Sequence, residues 1–296
     1  MAVPGLWIVF TLVGAMLQTV RNAVQRGLTG PLGPMGATYT RFLYGLPFGL
    51  LCLVGTLIGT GSAPVLPGPV AFAWTLAGAL TQIGGTLMLL LAMRDRSFVV
   101  VTAYTKTEPV QVAIFGLVLL GEHLTLPLAA AILMATAGVL LMSWPKQGDG
   151  AFTLKASLYG IGSASLFGIA SVCFRGAILT LPENYLVAAS TTLALTLVIQ
   201  TLVFTGFLLW RDPRTLRVTL GGWRSSLPAG AAGALASQAW FLAFALESVA
   251  RVRTLALVEI AFAQVLAWRV FSQKAGWRDW VGIALIAAGV VWLLNS

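Results

Sequence analysis

Residues 126–144 read LPLAAAILMATAGVLLMSW, and residues 277–295 read WRDWVGIALIAAGVVWLLN. The first stretch carries no charged side chain. A helix of this length rises far enough to cross most of the roughly 30 Å hydrocarbon layer of a bilayer. Backbone N–H and C=O groups have no water to bond there, so a helix that pairs them internally is the form such a run takes. The second stretch repeats the first at a constant offset. Ala131-Ile132 corresponds to Gly282-Ile283, and Ala137-Gly138-Val139 to Ala288-Gly289-Val290, each 151 residues on.

The same offset joins Glu108 to Glu259, and Gln25-Arg26-Gly27 resembles Phe174-Arg175-Gly176. Ala- and Gly-rich sequences match by chance, so the weight rests on the near-constant offset over several helices. Apolar runs bounded by Gly, Pro or charge divide the chain into ten expected spans: 6–26, 36–59, 69–93, 97–120, 126–144, 156–179, 185–209, 226–247, 252–271 and 278–295. The expected fold is an all-α integral membrane protein, with one five-helix repeat over 1–145 and a second over 155–296. Five is odd, so the second copy must enter the membrane with opposite polarity. That is the inverted-repeat architecture of many secondary transporters, whose sites lie near the midplane. The connections, including 27–35 and 210–225, are too short for a soluble catalytic domain.

Composition agrees. Of the 296 residues, 58% are hydrophobic and 9% charged, against about a quarter charged in soluble domains. The net charge of +9 comes from residues between apolar runs rather than from a basic tract, so nucleic acid is not an expected partner. Cys52 and Cys173 lie in mid-span, and His123 is the only histidine. No metal site, disulfide framework or cofactor is expected from them. The first segment reads as a retained span rather than a cleaved signal. Lys and Arg concentrate in the connections after the odd-numbered spans and their flanks; those after the even-numbered spans, flanks included, hold only Arg175, Arg251 and Arg253. That count places both termini away from the cytoplasm. Gly45/Gly49 and Gly55/Gly59 have helix-packing spacing. Trp7, Trp144, Trp210, Trp223, Trp277 and Trp280 read as interfacial anchors.

In lipid the informative residues are the polar ones. A charge at the bilayer centre costs about 2.5–3.5 kcal/mol on insertion scales and so faces a partner or an aqueous cavity. The densest polar stretch is Thr102-Ala103-Tyr104-Thr105-Lys106-Thr107-Glu108-Pro109 in the fourth span. Tyr104 and Glu108 share a face at i,i+4 on a regular helix, and Lys106 points elsewhere. Pro109 disturbs the preceding turn, in the manner of the broken helices of carriers. The alternative is a structural pairing of Lys106 and Glu108 with neighbouring helices. Glu259 is either a protonated or paired carboxyl, or a site for an ammonium or a proton. Gln18, Arg21 and Asn22 cluster in the first span, where Arg21 either joins a site or snorkels to the interface. Arg41 is expected at the interface. Gln82 and Gln238 line a cavity or bond helices together. Trp240 is a candidate apolar wall or simple packing.

On these residues the chain resembles the drug/metabolite transporter superfamily, in its EamA-type branch of ten-helix carriers. The resemblance rests on the duplicated unit, Ala92-Met93, Gly121-Glu122 with Leu124, Ala137-Gly138-Val139, Ala245-Leu246 and Ala288-Gly289-Val290. Gln273-Lys274 stands where the family favours Gly-Glu in the second copy. The resemblance implies a central cavity lined by the first, third, fourth, sixth, eighth and ninth helices, alternating access, and export or exchange of amino acids and related metabolites. It places the termini of eukaryotic members in the cytoplasm, opposite to the charge count, so orientation stays open.

The expected function is secondary transport of a small zwitterion such as an amino acid, with no enzymatic activity. Expected binding residues are Gln18, Arg21, Asn22, Gln82, Tyr104, Lys106, Glu108, Gln238, Trp240 and Glu259, with Glu108 and Glu259 as proton carriers. The alternatives are export of lipophilic cations or drugs, and an intramembrane lipid-modifying enzyme, for which a nucleophile–base or metal constellation is missing from the motifs. Expected partners are a small-molecule substrate, protons and membrane lipid, in a monomer or homodimer of a bacterial inner (plasma) membrane.

Overall fold

The structure, a computed structural model, describes residues 5–95, 105–142, 154–181, 184–260 and 276–295. Every regular element among them is helical: α1 Leu6–Leu43, α2 Leu46–Thr60, α3 Pro69–Asp95, α4 Glu108–Leu120, α5 Leu126–Met142, α6 Leu154–Leu179, α7 Tyr185–Arg211, α8 Pro213–Gly221, α9 Trp223–Leu246, α10 Val249–Leu255 and α11 Trp277–Asn295. Six stretches are long and apolar enough to cross a membrane, among them Met35–Thr60, Tyr185–Arg211 and Trp223–Leu246. Leu6–Arg21, Glu108–Leu120 and Leu126–Met142 are shorter apolar helices. Most of the expected ninth span, 252–271, lies outside the described residues.

Two expected connections are helical instead. The chain stays helical beyond residue 27, and α1 kinks only at Gly33, which takes φ 66° and ψ 171°. A side chain is strained at that φ, so glycine is the residue that can kink there. Leu28 and Leu32, one turn apart, bury beside Ala37 and Ala229, and this packing outweighs the Gly/Pro punctuation. Gln25 Nε2 spans the kink, donating to the Ala37 carbonyl at 2.9 Å. The connection at 210–225 contains α8, with Pro213 in its first turn. Asp212 caps it, accepting from the Thr215 N–H at 3.0 Å and the Thr215 hydroxyl at 2.6 Å. Those two bonds hold the Asp212 carboxyl below its ordinary range.

By contact the chain forms two units, residues 1–83 with 173–246 and residues 84–172 with 247–296, so the divisions fall inside α3 and α6. Each unit draws on both sequence copies. In the first, α1 packs along α9, and α2 along α7; Gly49 sits against Leu197 and Gly14 against the Trp240 indole. Tyr39 stacks on Phe204 with ring centroids 5.6 Å apart. In the second, α5 packs along α11 and α4 against α10, while Gly84 and Gly85 of α3 meet Leu166 and Phe167 of α6.

The crossing of α5 and α11 is reciprocal. A Cβ added to Gly138 would stand 2.6 Å from the Gly282 carbonyl oxygen. One added to Gly289 would stand 2.9 Å from the Ala131 carbonyl oxygen. Gly138 and Gly289 are repeat equivalents, as are Ala131 and Gly282, all at the 151-residue offset. The same contact is therefore made twice with the copies exchanged, which is the mark of a two-fold relation. Residue numbers run in opposite directions along the two helices, so the last helix of one copy is inverted with respect to that of the other. Small residues let the backbones approach this closely.

Of the two glycine spacings in α2, only the first packs. Gly45 and Gly49 have close neighbours, whereas nothing lies within 4 Å of a Cβ at Gly55 or Gly59. Gly138→Ala and Gly289→Ala are each expected to destabilise by about 1–3 kcal/mol through backbone overlap. Gly55→Ala should instead leave stability unchanged or raise it by up to about 1 kcal/mol through helix propensity. Denaturant titration in detergent micelles measures both, and equal effects at the three positions would refute the crossing.

Candidate functional site

The fourth span is interrupted where Pro109 predicts. Lys106 and Thr107 form a turn, and α4 begins at Glu108 with Thr107 as its N-cap and no side-chain capping bond. The expected i,i+4 face of Tyr104 and Glu108 does not cross this turn as a regular helix, and Tyr104 itself lies outside the described residues. The ninth span breaks at the corresponding place. α10 ends at Leu255, Ala256 and Leu257 form a turn, and helix resumes at 258. There the N–H groups of Leu257, Glu259 and Ile260 each bond three residues back, to Thr254, Ala256 and Leu257, all at 3.1 Å. That is the tighter winding of a 3₁₀ turn.

The two breaks are joined by charge. Glu108 Oε1 stands 3.1 Å from Arg253 Nε, with the two side chains only 17% and 15% exposed. The contact is an ion pair whose angle departs from a straight hydrogen bond. Glu108 lies in the first turn of α4 and Arg253 in the last turn of α10. Each charge thus opposes the partial charge of its own helix end. Arg253 Nη2 also donates to Ser171 Oγ on α6 at 2.7 Å. Beside the pair, Gln111 Nε2 donates to Thr107 Oγ1 at 2.9 Å, and Ser165 Oγ to Gln111 Oε1 at 2.5 Å. Lys106 and Glu259 are half-buried, in or just past the turns.

The sequence reading missed Arg253 as a site residue, because at the start of the expected 252–271 span it was counted only as a flanking charge. The signal was Ser248, whose hydroxyl caps α10 by accepting from the Arg251 N–H. A helix starting there puts Arg253 a turn inside.

The other unit gathers different chemistry. Arg21 and Arg41 are both 8% exposed, so each is packed against protein rather than lying on an open surface. Their aliphatic stems converge on Gly233 of α9: a Cβ there would lie 3.3 Å from Arg21 Cδ and 3.4 Å from Arg41 Cγ. Arg41, Gln82, Thr196, Gln200, Ser237 and Phe241 line a narrow crevice. Gln82 and Gln238 both bond to α7. Gln200 Nε2 donates to Gln82 Oε1 at 2.7 Å, and Gln238 Nε2 to Ser190 Oγ at 2.8 Å. Trp240 is buried and stacks with Phe244, centroids 6.2 Å apart. Gln18 is half-buried, and the Asn22 side chain lies outside the described residues. Among the described residues no group of three or more His, Cys, Asp or Glu is placed to hold a metal.

Long apolar helices, discontinuous spans and charge held inside them define a polytopic α-helical membrane protein. The EamA-like transporter family matches this chain twice, over residues 5–144 and 154–295. The chain belongs to that family, and is a membrane transporter of the drug/metabolite type with a two-repeat architecture. A solved structure described only as "Crystal structure of protein" is similar to it with a TM-score of 0.68, covering 97% of this chain and 95% of its own. At 18% identity that likeness shows the fold alone. No curated protein matches the chain.

Removing either charge takes from the other its partly buried opposite charge. Glu108→Gln and Arg253→Gln should each cost stability. The double variant should cost less than their sum by a coupling of about 1–3 kcal/mol. Purely additive losses in a double-mutant cycle would mean that the pair is not energetically joined.

Proposed function

We propose that this transporter carries small zwitterionic metabolites, with amino acids as the leading class, by alternating access across a bacterial inner (plasma) membrane. The observation that carries this reading is the Glu108–Arg253 pair at 3.1 Å between two helix breaks. A zwitterion presents an ammonium and a carboxylate a few ångströms apart. It can replace the internal pair by two external ones, its ammonium on Glu108 and its carboxylate on Arg253. Net charge is unchanged, so entry adds no uncompensated charge to the low-dielectric interior. Lys106, in the turn before Glu108, is a second cation for the carboxylate. In the absence of substrate the two residues face one another, and Glu108 is also the proton-carrying carboxylate of the proposed cycle. Interrupted helices suit this role because their ends supply oriented backbone groups and a place to bend.

Transport into proteoliposomes tests the proposal. Arg253→Gln and Glu108→Gln should each lower amino-acid counterflow by about tenfold or more, the loss of one charge-assisted contact of roughly 1.5–3 kcal/mol. Glu108→Gln should also remove the pH dependence. Lys106→Met should weaken zwitterion transport while sparing lipophilic cations. Amino-acid counterflow unaltered in all three variants would refute the proposal. Loss of cation transport with no amino-acid transport in the parent protein would favour the drug-exporter alternative.

A further inference from the structure

Helix α8 joins two membrane-spanning helices, α7 ending at Arg211 and α9 starting at Trp223. Chain connectivity therefore keeps this short helix at the bilayer surface. Its residues divide by face. Leu216 and Thr219 are buried, and α8 packs on α1 and α7. The Tyr44 hydroxyl bonds to the carbonyls of Thr219 and Leu220, at 2.9 and 3.2 Å. At its other end Asp212 caps the helix through Thr215. α8 is thus fixed at both ends rather than being a loose connection.

The remaining surface mixes cations with large apolar groups. Arg211, Arg214, Arg217 and Arg224 are exposed. Trp210 is 78% exposed, and Val218, Leu220 and Trp223 are each nearly half exposed. The Arg211 guanidinium lies 5.3 Å from the Trp210 ring centroid, and that of Arg224 lies 5.2 Å from Trp223. With Asp212 as the one carboxylate, residues 210–224 carry a formal charge of +3. Tryptophans seat at the level of lipid headgroups. Guanidinium groups pair with phosphate oxygens through two parallel bonds. Basic residues on an amphipathic helix are drawn to anionic lipid.

We propose that α8 and its flanks, Trp210 to Arg224, form a docking surface for anionic phospholipid headgroups of the surrounding bilayer. The arginines bind the phosphates, and Trp210 and Trp223 set the depth. The surface shares no residue with the Glu108–Arg253 pair and does not depend on the proposed cargo.

The test uses the full-length protein in detergent micelles, titrated separately with phosphatidylglycerol, phosphatidylcholine and inorganic phosphate while thermal unfolding is followed. Phosphatidylglycerol should stabilise, and the other two should not at equal concentration. Arg214→Gln with Arg217→Gln should weaken apparent phosphatidylglycerol affinity about twenty-five-fold at low salt, taking each basic residue as roughly fivefold. Lysine at both positions should retain most of it. An unchanged affinity in the Gln double variant overturns the proposal. Phosphate as effective as lipid would mean a free-anion site, and equal stabilisation by phosphatidylcholine would mean purely apolar docking; either overturns it. The parent protein gives an independent reading, because its preference for phosphatidylglycerol must collapse at high salt. A preference that survives there refutes the electrostatic basis whatever the variants do.

Discussion

The close approach of α5 to α11 is the constraint that organises the second unit. With Gly138 and Gly282 facing one another, the two backbones come near enough that a single methyl group would collide with a carbonyl oxygen. Lipid supplies no hydrophobic drive between helices, so association must come from such contact. The crossing is made once by Gly138 with Gly282 and again by Gly289 with Ala131, which ties the copies into an exchange. Other pairings obey the same rule. Helices of one copy lie against helices of the other: α1 with α9, α2 with α7, α4 with α10. Each unit is consequently a product of both halves of the chain, and neither copy contains a finished set of neighbours by itself.

Charge does not follow this symmetry. Moved by the repeat offset, Glu108 becomes Glu259, but Arg253 moves back onto Thr102. The exchange therefore preserves both carboxylates and only one guanidinium partner position. Both spans nevertheless break within one residue of matching places, after Thr105 and after Leu255. The backbone thus kept its duplicated form while the side chains diverged. The unequal charge is what distinguishes one copy's break from the other.

Much of this was legible in the residues. Apolar run length located spans, and the 151-residue offset marked α5 and α11 as repeat equivalents, though not that they cross. Pro109 pointed to the break in the fourth span. What stayed hidden was azimuth and partner. Hydropathy measures depth along a helix, so it left Arg253 as a flanking charge at the start of the 252–271 span and could not show that Arg41 turns inward onto Gly233. It also reads Gly and Pro as stops. The burial of Leu28 and Leu32 overrode that reading before Gly33, and the Asp212 cap with Pro213 turned a punctuated connection into α8. Gln82 and Gln238 were ambiguous because an amide serves a cavity or a neighbouring helix equally well; in the structure both reach α7.

The energetics of the Glu108–Arg253 pair bear on why it is present at all. A mostly buried ion pair contributes little net stability, since desolvation offsets most of its Coulomb attraction, and apolar residues of similar volume often do as well or better. The helix ends lessen that cost, with the carboxylate at an N-terminus and the guanidinium at a C-terminus. They do not turn the pair into an efficient staple, which small-residue packing provides at the α5–α11 crossing without any charge. An ion pair is the better choice where the contact must open and close, because each partner can be satisfied by something else of the right sign. The pair stands at two helix interruptions, so its charges meet the exposed backbone groups of two helix ends.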